Sequence, residues 1–117
     1  MTDTNGTVFR VEKNRNYTVM SNQHFHCINM SLKAKGLLSL ILSLPAEWDY
    51  SINGLTAICK ESRPTIQTTL NELKELGYLE IIKHAPSKEN GGRFTYEYII
   101  YEESIKPKML KFSRKND

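Results

Sequence analysis

Between Arg63 and Asn71 the chain reads RPTIQTTLN, and its polar members are the side chains best suited to directional chemistry. Gln67 and Asn71 end in amides, which donate and accept side by side and can pair bidentately with an adenine edge. Thr65 and Thr68 add hydroxyls and methyl groups. Arg63 is a planar fork of donors that fits guanine or a phosphate. Pro64 joins them by position, at the head of the segment. At about 100° per residue, Ile66, Leu70 and Leu73 share one face with Leu76 near it, while Gln67, Thr68 and Asn71 point away. A helix that is merely solvated on its outer side has the same composition. What separates the two readings is the set of elements around the segment.

Those elements follow from local signals. Ser62 fits an N-cap, Pro64 falls in the first turn where a missing N–H is harmless, and Gly77 supplies a left-handed stop. Leu79 to Lys83 and Phe94 to Tyr101 read as strands, and the loop between them, Ala85 to Arg93, holds Pro86, Asn90, Gly91 and Gly92. Upstream, Ser31 caps a helix from Leu32 to Leu44 that ends at Pro45. Ser51 caps another from Ile52 to Lys60, with Leu55, Ile58 and Cys59 inward, and Glu61-Ser62-Arg63 forms the turn into the third helix. Trp48-Asp49-Tyr50 reads as an extended link. Phe9 and Val11, then Tyr17 to Met20, alternate as a short strand would. The order predicts an α+β fold: a winged helix-turn-helix with three core helices, a C-terminal β-hairpin wing and an extra N-terminal strand. In that architecture the third helix commonly lies in the major groove of DNA.

The third helix is expected to enter by its N-terminal half, because Glu72 and Glu75 stand exposed at the other end, where a duplex repels them. The wing offers Lys83, Lys88, Asn90 and Arg93 to phosphate or the minor groove, against Glu89. A solvated turn is also rich in lysine. Tyr96 and Tyr98 fall on one strand face with Phe94 and Ile100, so core packing is the better reading for those two.

Formal net charge is +3 over 117 residues. The tail from Lys106 carries five cations against Asp117, a net of +4, which leaves −1 for residues 1–105. The folded part is not broadly basic, so nonspecific attraction to phosphates is modest. One compact unit is expected: a flexible N-terminus over 1–8, the domain over 9–105, and a basic flexible tail over 106–117.

In the first helix Leu37, Leu40, Ile41 and Leu44 share a face, whereas Leu38 and Leu42 fall on another. A helix apolar on two sides must be covered on both. The N-terminal strand or a second subunit can do this, which makes Leu38 and Leu42 the candidates for self-association in a homodimer or higher homo-oligomer.

His24, His26 and Cys27 form an H-x-H-C cluster that lacks a fourth ligand at recognisable spacing, so no metal is expected. No nucleophile motif, acid–base dyad or phosphate loop is present; neither an enzyme nor a cofactor is expected. Two cysteines make no disulfide framework. The polar N-terminus and the short apolar run from Leu37 to Leu44 point to a cytoplasmic protein without a membrane partner.

The chain resembles the winged helix-turn-helix domain of replication-initiation proteins of Gram-positive phages, plasmids and conjugative elements, a group that includes the N-terminal domain of the DnaD-like primosomal proteins. The likeness is carried by YTVMSN at Tyr17 to Asn22, SLKAKGLLSLILSLP at Ser31 to Pro45, WDYSINGLTAICKE at Trp48 to Glu61 and TIQTTLNELKELGYLE at Thr65 to Glu80. Together these pieces cover most of residues 9 to 101. The resemblance implies double-stranded DNA as partner, near an origin, or self-association within a replisome-loading complex with other replication proteins. A transcriptional regulator of a mobile element has the same fold.

Overall fold

The computed structural model describes residues 10, 16–45 and 51–112. Among the described residues three α-helices, α1 (Leu32–Ser43), α2 (Ile52–Ala57) and α3 (Arg63–Glu75), precede the hairpin β1 (Leu79–His84) and β2 (Thr95–Ile100). The predicted α+β order is therefore present. Each helix starts at a serine in extended conformation. Ser31 Oγ accepts from Ala34 N, Ser51 Oγ from Gly54 N and Ser62 Oγ from Thr65 N. Each bond satisfies a backbone donor that the first turn leaves free.

The helix ends are equally local. Leu44 precedes Pro45, is extended as that position demands, and closes α1. α2 stops at Ala57, short of the expected Lys60. Ile58 N and Cys59 N reach back only three residues, to Leu55 O and Thr56 O, so the last turn tightens and rotates Ile58 outward. Leu55 is buried and Cys59 half-buried, but Ile58 faces solvent, against the inward position expected for it. α3 ends in a Schellman motif: Tyr78 N donates to Leu73 O and Gly77 N to Lys74 O, with Gly77 at φ +88°. A Cβ there would lie 2.4 Å from Ser104 Oγ and 2.8 Å from Lys106 N. Both the backbone angle and the space therefore require glycine.

The sheet is a two-stranded antiparallel ladder from Leu79↔Ile100 at its base to His84↔Thr95 at its tip. The core lies between the helices and the base of this hairpin, around Leu37, Leu38, Ile41, Leu55, Leu70, Leu73, Tyr78 and Leu79. Leu38 is 0% exposed, wholly inside this core, and so is not on a surface for a second subunit. Leu42 is half-buried and lines a cleft beside Ile99 and Ile100 of β2. The second apolar face of α1 is thus covered from within the chain at Leu38 and partly so at Leu42.

The segment before α1 helps with that cover. It forms a 3₁₀ turn, His24–His26, and contributes Cys27 and Met30 to the core. His24 is fully buried. Ser39 Oγ donates to Lys35 O and accepts from His24 Nε2–H at 2.9 Å, which leaves His24 Nδ1 buried without a partner. A proton there would have no acceptor, and burial holds this imidazole below its ordinary pKa. Among the described residues, no three His, Cys, Asp or Glu side chains stand where they could hold a metal ion.

Two expectations change at the edges of the fold. Phe9 and Val11, the first half of the N-terminal strand, lie outside the described residues. The Tyr17–Met20 half forms no strand with any described residue: Tyr17 and Val19 are 75% and 88% exposed, and the segment is fastened at Ser21, whose N and Oγ donate to Glu102 and Glu103. With both apolar side chains in water, the alternation has no surface to bury. The tail, expected to be free from Lys106, instead turns back over Pro107–Met109 and bridges Cys27 at Phe112. Ile28 N donates to Lys111 O at 2.6 Å, Asn29 holds Met109 O and Lys111 N, and Leu110 packs on the core. The described part of the tail is a strap, joined to the domain.

Candidate nucleic-acid interface

α3 separates its two faces cleanly. Ile66, Leu70 and Leu73 are buried, and buried Thr69 turns its hydroxyl back to Thr65 O. Arg63, Pro64, Gln67, Thr68 and Asn71 are exposed and Thr65 is half-buried. Gln67 Nε2 lies 3.5 Å from Asn71 Oδ1, so the two amides stand side by side one turn apart. That contact is long and solvent-exposed, and a better partner can replace it. Thr68 donates its hydroxyl to Pro64 O, which leaves its methyl and an acceptor lone pair outward. Arg63 Nη1 donates to Asn53 Oδ1 across the helix-turn-helix corner.

Glu72 has a different place from the one expected. Its carboxylate is half-buried and takes two hydrogen bonds from Ser31, from N and from Oγ, each at 2.7 Å. A negative group at the N-terminus of α1 is favoured by the free N–H groups and the dipole there. It therefore joins α3 to α1 instead of standing free toward a ligand. Glu75 remains exposed.

On the wing, Lys83, Lys88 and Arg93 are exposed. Asn90 is occupied within the loop: its Oδ1 accepts from Ser87 N at 2.7 Å and its Nδ2 donates to Ala85 O at 2.9 Å. Gly91 and Gly92 follow at φ +71° and +73°, and Gly92 N closes the turn on Ser87 O. Asn90 thus shapes the tip that presents Lys88 and Arg93. Lys83 stands with its ammonium 4.2 Å from the Phe94 ring centroid, a cation–π contact that holds the base of the loop. His84 Nε2 meets Glu97 Oε1 at 3.0 Å on the other face of the hairpin.

Two residues escaped the sequence reading. Asn53 is ten positions from Arg63, and only the helix-turn-helix corner brings them together. Tyr96, placed in the core by alternation, is 58% exposed. Its face was correctly read, but the hairpin runs past the helices there, and strand length alone gives no sign of where the body stops.

Three helices ending in an antiparallel hairpin, with a capped and amphipathic third helix, define a winged helix-turn-helix. A family model described as a helix-turn-helix domain matches residues 29–79, from just before α1 to the first residue of β1. Comparison with curated proteins gives no match, and neither does comparison with solved structures. No helix among the described residues is long and apolar enough to cross a membrane.

Proposed function

We propose that this chain binds double-stranded DNA, with the N-terminal half of α3 in the major groove and the wing on the flanking backbone. The observation that carries this reading is the exposed pair Gln67 and Asn71, one turn apart on a helix whose opposite face is buried. Arg63, Pro64, Thr65 and Thr68 surround the pair; Lys83, Lys88 and Arg93 supply the phosphate contacts, and Asn90 sets the turn that presents them. The engagement of Glu72 with Ser31 supports the reading, because it removes one carboxylate from the approach. The helix-turn-helix match over residues 29–79 supports it independently. A role in replication initiation of a phage, plasmid or conjugative element rests on the resemblance of the Tyr17–Glu80 motifs. A regulator of such an element's promoters would carry the same surface. The test is an anisotropy titration at low and moderate salt against the element's own origin and promoter duplexes. Saturable binding that weakens with salt is expected; absence of binding to every duplex overturns the reading.

A second reading, a protein-interaction or self-association winged helix, has its own observation. Leu32 is 85% exposed at the head of α1, and Leu32, Gly36 and Leu40 line a cleft of about 250 Å³ with Cys59 and Ile66. This strip replaces Leu38 and Leu42 as the surface for a second copy. Light scattering of Leu32→Glu against the parent protein tests it: a dimer that becomes a monomer supports self-association, and a parent that is monomeric at high concentration rules it out.

A further inference from the structure

The inner face of the hairpin carries, from base to tip, the cross-strand pairs Leu79↔Ile100, Ile81↔Tyr98 and Lys83↔Tyr96. Burial falls along this series. Leu79 is buried, Ile81, Tyr98 and Ile100 are half-buried, and Lys83 and Tyr96 are exposed. Phe94, next toward the tip, is 53% exposed beneath the Lys83 ammonium. The overhang faces the helix-turn-helix corner across a cleft of about 510 Å³, lined by Ser51, Asn53, Arg63, Thr95, Tyr96 and Tyr98 with Ile52. The bond from Arg63 Nη1 to Asn53 fixes the guanidinium at the cleft wall and leaves its remaining N–H donors for a ligand. None of the lining residues among those described is acidic. Glu97, the neighbour of Tyr96 in sequence, points to the opposite face and is held by His84.

The cleft therefore joins three chemistries: an open aromatic face, the Arg63 guanidinium on its wall with Lys83 beside Tyr96 on the neighbouring strand, and amide and hydroxyl groups along the wall. Cations alone suit a continuous phosphate backbone. The open ring beside them suits a flat group with an uncovered π-face. In an intact duplex each base is covered by its neighbours, whereas a base that has left the stack gains by stacking on an aromatic side chain. We propose that this cleft takes an unpaired nucleotide where a DNA strand leaves the duplex, with its base on Tyr96 and its phosphate on Arg63. The proposal rests on the duplex-binding reading and extends it from the groove to a single-strand/double-strand junction.

The experiment compares a blunt duplex with the same duplex bearing a short single-stranded overhang on either strand, with 2-aminopurine as the first unpaired base. Anisotropy reads affinity and 2-aminopurine emission reads stacking. The overhung duplex should bind about tenfold more tightly than the blunt one, with quenched emission. Tyr96→Ala should remove both the preference and the quench while blunt-duplex binding stays intact, and Tyr96→Phe should keep them. Equal affinity for blunt and overhung duplexes, or a Tyr96→Ala loss that is the same on both, overturns the inference and leaves the duplex reading standing. Failure to bind either duplex overturns that reading and this inference together.

Discussion

From Arg63 to Asn71, α3 keeps its polar ends at the surface, held by short contacts such as Gln67 with Asn71 and Thr68 with Pro64 and, at Arg63, by Asn53 across the helix-turn-helix corner. From Glu72 through the cap at Gly77 the chain instead commits one side chain and two carbonyls to distant segments. Glu72 caps α1 through Ser31, the Leu76 carbonyl accepts from Ser104 Oγ at 2.6 Å, and the Gly77 carbonyl accepts from Ile105 N at 2.9 Å. Both halves look polar outside and apolar inside when read in one dimension. The difference lies in the partners. One half is left able to exchange its contacts for those of a ligand, and the other fixes the angle at which the first is presented.

That contrast can be broken at its fixed end. Gly77→Ala puts a Cβ into Ser104 and Lys106 at a left-handed backbone angle, so strain and overpacking add to about 4 kcal/mol of lost stability. A denaturant titration with the melting temperature measures this, and a variant as stable as the parent would contradict the assigned geometry. Glu72→Ala removes both bonds to Ser31 and the charge at the N-terminus of α1, a loss of about 2–3 kcal/mol. The same measurement checks it, and Glu72→Gln should recover part of the loss.

The open end should respond in the opposite way. Gln67→Ala and Asn71→Ala each leave the melting temperature nearly unchanged, since both side chains are exposed, yet each weakens binding to a specific duplex by about 1–2 kcal/mol. The smallest effect belongs to Lys88→Ala, which should weaken all sequences alike and lower the salt slope by about 1. Titrations across several salt concentrations and two sequences separate these outcomes. Equal, small effects from all three changes would mean that α3 does not read bases.

Much of this architecture was legible in the chain because it is locally encoded. Ser31, Ser51 and Ser62 cap their helices through bonds three residues long, and Gly77 and Pro45 stop theirs by their own backbone preferences. What escaped was set by distant partners. Glu72 looked like a free surface charge because Ser31 is 41 positions away. Leu38 looked like an unsatisfied face because the core that takes it in is assembled from segments spread from Cys27 to Leu79. Asn90 looked like a ligand-facing amide, although its own loop uses both ends. Tyr96 was assigned to the correct side of its strand, but the overhang of the hairpin past the helices is a property of the assembled body.

The strap over residues 107–112 also bears on the order of folding. Its bonds, from Ile28 to Lys111 and from Asn29 to Met109 and Lys111, close loops of about eighty residues, whereas the helix caps close loops of three. Contacts of such separation form only after the chain between them has condensed, and they can open while the helices remain intact. Native-state hydrogen exchange should therefore release the amides of Ile28 and Lys111 at a lower free energy than those of Leu70 and Leu73, which makes the strap a part that comes undone before the helical core.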